Sequence, residues 1–138
     1  MIRIIFSVFF VLHGLVHLLY FGQSWRLFEL QPGMVWPDGA WAFSRLLGDQ
    51  TTRTLASFFL VLAATGFVVS GAGILLKQGW WRPVIVSVAI LSTITYFLFW
   101  DGALQNLDNK GGVGILINVA ILAAVLIFQW PNPALVNK

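Results

Sequence analysis

Apolar residues run through this chain in four long blocks, broken by three stretches where polar residues, glycine, proline and tryptophan collect. The first block covers residues 2–22, the second 54–76, the third 83–100 and the fourth 112–130. None alternates with a period of two, so the blocks predict helices rather than half-buried strands. Each approaches the roughly 20 residues needed to cross a hydrocarbon core about 30 Å thick. Where no water reaches the backbone, a helix satisfies its own N–H and C=O groups internally. The pattern therefore predicts an all-α integral membrane four-helix bundle, forming a single transmembrane domain over residues 1–138.

The polar breaks carry their own signals. Between the first and second blocks lies "PDGAWAFSRLLGD", which reads as a short interfacial helix over about 38–48, with Asp38 as its N-cap and Gly48 as its stop. Within the second block Gly66, Ser70 and Gly73 follow helical spacing. Such small-residue stripes let helices approach closely, here within the chain or in a homo-oligomer. Ala120 and Ala124 offer a similar strip on the fourth helix. All seven tryptophans lie near the ends of predicted spans, the distribution of an interfacial aromatic belt.

Composition supports the bilayer as solvent and as partner. The chain is 59 % hydrophobic and 9 % charged, against roughly 25 % charged in a soluble protein. Cysteine is absent, which excludes disulfides, thiolate metal sites and cysteine nucleophiles. The basic residues are scattered singly and form no nucleic-acid patch. Four spans place Arg3, Lys77, Arg82 and Lys138 on one side, with no acid. The other side holds Arg26, Arg45, Arg53 and Lys110 together with all five acids. Lys77 and Arg82 sit in or beside a very short loop, where the positive-inside rule acts most strongly. The expectation is a multi-pass protein of the cell inner membrane with both termini cytoplasmic. The first block has no small-x-small pattern after it and reads as a retained helix.

The chain's two histidines, His13 and His17, stand four residues apart on one face of the first helix. At 1.5 Å per residue His17 lies roughly 7 Å and His13 roughly 13 Å below the outer end of that helix. Tyr96 lies roughly 7 Å below Asp101, with Ser92 and Thr95 on a similar face, and Asn118 lies roughly 9 Å below Gly112. Polar side chains from several helices thus gather in one half of the membrane, and polar groups there tend to mark function. Asp101 falls at a helix C-terminus, where the macrodipole disfavours a carboxylate, and His17 is the nearest compensating group by depth.

Three readings follow. His13, His17, Tyr96, Asp101 and Asn118 form an outer-leaflet polar pocket for a small or lipid-like ligand or an ion. Alternatively His13, His17 and Asp101 hold a metal, or one histidine ligates haem, in a membrane redox enzyme. In the third reading the protein is a structural or accessory membrane subunit, with the histidines fixing helix packing. No G-x-S-x-G or phosphate-loop motif is present.

At "LHGLVHLLYFG" the chain resembles a family of small four-helix bacterial and archaeal membrane proteins. Their first helix carries HGL[IV]HL, their third ends near Trp-Asp, and their fourth opens on glycine with an early asparagine. The matching residues are His13, Gly14, Leu15, His17, Leu18, Trp100, Asp101 and Asn118. The resemblance implies the four-helix membrane fold and carries no activity, although some members are named permeases; DoxX-like proteins are a looser comparison.

Overall fold

A computed structural model describes residues 1–132. Its described residues form helices α1 (Ile2–Ser24), α2 (Ser44–Leu75), α3 (Trp81–Leu98) and α4 (Gly112–Leu122). A π-helical turn, Ala123–Ile127, continues α4. No strand occurs among the described residues. By length and composition α1, α2 and α3 can each cross a membrane. The fourth apolar stretch, Gly112–Ile127, is shorter.

Helix follows helix: α1 packs on α2, α2 on α3 and α3 on α4. The loop between α1 and α2 and the loop between α3 and α4 meet at one end, where the Trp41 N–H donates to the Trp100 carbonyl at 2.8 Å. The short α2–α3 turn lies at the opposite end, as do the start of α1 and the close of the π turn. There the Ser7 hydroxyl donates to the Gly71 carbonyl at 2.7 Å, and Phe6 meets Trp130 edge-on at 4.4 Å. We call these the loop end and the termini end.

Close approach explains several glycines. A Cβ on Gly14 would stand 2.9 Å from both the Ala64 carbonyl oxygen and the Phe67 Cβ, so this glycine beside His13 lets α1 lie against the backbone of α2. The small stripe of α2 serves α3 of the same chain. A Cβ on Gly66 would stand 2.7 Å from Val88, and one on Gly73 2.8 Å from Trp80. Ser70 turns its hydroxyl back to the Gly66 carbonyl at 2.8 Å.

The buried apolar residues fall into two clusters. One, toward the termini end, includes Phe10, Phe67, Trp81, Ile85 and Val125. The other, toward the loop end, includes Trp36, Leu60, Tyr96 and Phe99. His13 and His17, Ser92, and Asn118 each come between members or packed neighbours of the two clusters along their own helices.

The helix expected over 38–48 starts later, at Ser44, and breaks at Gly48. Turns occupy most of residues 36–43, helical backbone begins at Ser44, and Gly48 is non-helical at φ 75°, ψ 161°. The reason is that Asp38 does not cap a helix. Its carboxylate accepts from both Arg26 and Arg53, at 2.6 Å each, and Gly39 follows at φ 72°. The two arginines, one just beyond α1 and one in α2, pull Asp38 into a clamp that closes the long loop over the helix ends. Gln23 fastens the same loop. Buried at 0 % exposure, it donates to the Met34 carbonyl at 2.8 Å and accepts from the Leu30 N–H at 2.9 Å.

Candidate functional site

The two imidazoles face the protein interior: His13 is 5 % and His17 1 % exposed. Their bonds determine their tautomers. Nδ1 of His17 lies 2.9 Å from the His13 carbonyl oxygen. A carbonyl only accepts, so Nδ1 carries the proton, and in a neutral imidazole Nε2 is then an acceptor. The Ser92 hydroxyl donates to that Nε2 across 2.7 Å. Its oxygen accepts from Nδ2 of Asn118 at 2.8 Å. Asn118 Oδ1 in turn accepts from Nε2–H of His13 at 2.9 Å.

Read in order, His13 donates to Asn118, Asn118 to Ser92, Ser92 to His17, and His17 to the carbonyl of His13. The bonds form a closed ring with one direction, tying α1 to α3 and α4. A second proton on His17 would place two donors on Ser92 and reverse one link. Helix α2 supplies the wall. The Phe67 ring stands edge-on to His13 at 4.6 Å and lies 5.1 Å from His17.

Tyr96 adjoins this ring through its aromatic face, 5.7 Å from His17. Tyr20 lies 5.1 Å from Tyr96, and Trp36 lies 5.3 Å from Tyr20. A layer of aromatic rings thus joins the polar ring to the long loop. The structure brings His13, His17, Asn118 and Tyr96 together, with Ser92 as the hub.

It does not add Asp101 to that group. The Asp101 carboxylate pairs with Lys110 at 2.8 Å and accepts the Ala103 N–H at 2.9 Å. Burial pushes this carboxyl up, but the hydrogen bonds from Lys110 and Ala103 outweigh it and leave the group below its ordinary value. The expected partnership with His17 is replaced by one with Lys110, because the α3–α4 loop curls back over the end of α3. The metal set His13, His17 and Asp101 falls with it. Among the described residues no three His, Asp or Glu side chains converge.

Above the aromatic layer the two long loops enclose a cleft of about 250 Å³, lined by Trp36, Asp38, Asp101, Asn106, Asn109 and Lys110 among others. Trp36 is 4 % exposed. Its indole N–H and the Asn109 side-chain oxygen are both buried with no hydrogen-bond partner among the described residues. A buried donor and a buried acceptor without partners on two residues of one cleft are unusual, since native structures pair most such groups. Sequence reading missed both. Trp36 looks like one more belt tryptophan, and Asn109 like one more loop asparagine.

No family model, no curated protein and no solved structure matches this chain.

Ser92→Ala should destabilise the protein by about 1–3 kcal/mol for each of the two groups it leaves unpaired, Nε2 of His17 and Nδ2 of Asn118. Combined with Asn118→Leu, the loss should fall well short of the sum of the single effects, because both variants break the same ring. Thermal or denaturant melting of the four proteins in detergent measures this. Small, additive losses would show that the ring does not hold the helices.

Proposed function

We propose that this is a small multi-pass membrane protein, a four-helix bundle that binds a small polar ligand in the cleft at its loop end. The observation that carries this reading is that two residues lining one cleft, Trp36 and Asn109, each hold a buried hydrogen-bonding atom without a partner among the described residues, Nε1 and Oδ1. A ligand that both accepts and donates a hydrogen bond satisfies the two at once. The Asp101–Lys110 pair lies on the same wall and supplies polar contacts of both signs. The volume suits a small molecule rather than a lipid tail. In this reading His13, His17, Asn118 and Ser92 do not touch the ligand. They hold three helices in register beneath the aromatic floor on which the cleft stands.

The site is tested by screening small polar compounds for stabilisation of the purified protein. A true ligand should bind Trp36→Phe up to about tenfold more weakly, the worth of one hydrogen bond, and Asn109→Leu likewise. Equal affinity for both variants, or a cleft holding only bridging water in an experimental structure, would leave the protein as a scaffold.

We also propose that the termini end faces the cytoplasm of a cell inner membrane, on the strength of Arg3, Lys77 and Arg82 and the absence of acid there. A protease site inserted near Gly33 should be cut from outside intact cells, while a tag after Lys138 stays protected. The reverse pattern contradicts this orientation.

A further inference from the structure

At the termini end an apolar groove of about 430 Å³ runs between α1 and the last turns of the chain's fourth helix, with Ile5, Phe6, Phe9, Ala120, Ala124 and Trp130 among its lining residues. Its width has a local cause. Ala120 and Ala124 are small, and the π-helical turn at Ala123–Ile127 includes Ala124 and Val125 of its lining. Two arginines belong to the same end of the molecule, near the starts of α1 and α3. Arg3 lies one turn before Phe6, on the face of α1 that also carries Phe6 and Phe10. Arg82 donates to the Val125 carbonyl at 3.4 Å, and Val125 lines the groove. Each guanidinium keeps a buried nitrogen with no partner among the described residues, Nη1 of Arg3 and Nε of Arg82.

From this juxtaposition we infer that the groove is a specific site for one anionic phospholipid, with an acyl chain along the Ala120–Ala124 strip and the phosphate between Arg3 and Arg82. Charge decides between this occupant and a second copy of the chain. All five side-chain carboxylates, Glu29, Asp38, Asp49, Asp101 and Asp108, belong to the loop-end half of the sequence pattern. A parallel copy therefore brings no acidic side chain to this level. An apolar helix face would fill the groove and bring no acceptor to the two half-buried guanidinium groups, at a cost. A phosphate offers acceptor oxygens for both, and arginine matches that geometry well. The inference rests on the membrane reading alone and does not involve the cleft.

Native mass spectrometry of the full-length protein in detergent, with phosphatidylglycerol and phosphatidylcholine of identical tails, tests it. One phosphatidylglycerol should be retained in preference to phosphatidylcholine. Arg3→Gln and Arg82→Gln should each lower that retention about fivefold, the effect of one basic residue at an anionic surface. Ala124→Leu should abolish it by filling the groove while both charges remain. If Arg82→Gln fails to fold, Arg3→Gln and Ala124→Leu still carry the test. Equal retention of the two lipids overturns the proposal, as does unchanged retention in these variants. Displacement of the lipid by millimolar inorganic phosphate would show a free-anion site and overturn it too. So would a lipid-free dimer that Ala124→Leu dissociates. Cleft binding should be the same in every variant, so failure here is separable from failure of the cleft.

Discussion

A polar side chain buried where water does not reach must be answered by another part of the protein, and the middle of this molecule is arranged around that constraint. Four such side chains, His13, His17, Ser92 and Asn118, lie between two apolar clusters. Each is unfavourable in such a place if left alone. Together they answer one another, because each side chain donates to the next and the sequence of bonds closes on the backbone of α1. Sliding any of the three helices by one residue would open the ring and strand several groups at once. Apolar packing tolerates such slips better, since one methyl group replaces another. Apolar contact supplies the bulk of the helix association, and the ring selects one register.

That register carries upward. With α1 and α3 fixed at His17 and Ser92, Tyr20 and Tyr96 meet one turn above, and Trp36 packs on both. The long loop is then held by charge and by backbone bonds. Arg26 and Arg53 grip Asp38, Gln23 holds Met34 and Leu30, and Trp41 caps the end of α3 through the Phe97 and Trp100 carbonyls. The cleft between the loops is the consequence of this stack. The opposite end has a different character, with an apolar groove and a bond from Arg82 to Val125 on its lining.

Much of this was legible in the sequence, for definable reasons. Long apolar blocks announce helices, and a 3.6-residue period places His13 and His17 on one face. Rise per residue gives depth, so Asn118 and Tyr96 could be matched to the histidines. What failed was pairing at a distance. Ser92 reads as an ordinary helix serine, since such hydroxyls commonly bond back to their own helix, as Ser70 does. Asp101 was assigned to His17 by depth, but Lys110 reaches it through a loop whose path no periodicity encodes. Asp38 looked like an N-cap because it precedes an amphipathic stretch. Its two arginines come from elsewhere in the chain, and two charge-assisted bonds outweigh one cap. The Gly14 of the HGL motif is explained only once the backbone of Ala64 is seen against it.

The ring runs in one direction only if His17 is neutral with its proton on Nδ1 and His13 carries a proton on Nε2. Nitrogen-15 spectra of the imidazoles, in protein reconstituted in bilayers at neutral pH, read this directly. The expected spectra show His17 protonated on Nδ1 and bare on Nε2, with His13 protonated on Nε2. The same tautomer at both positions, or a charged imidazolium at His17, would contradict the one-way ring.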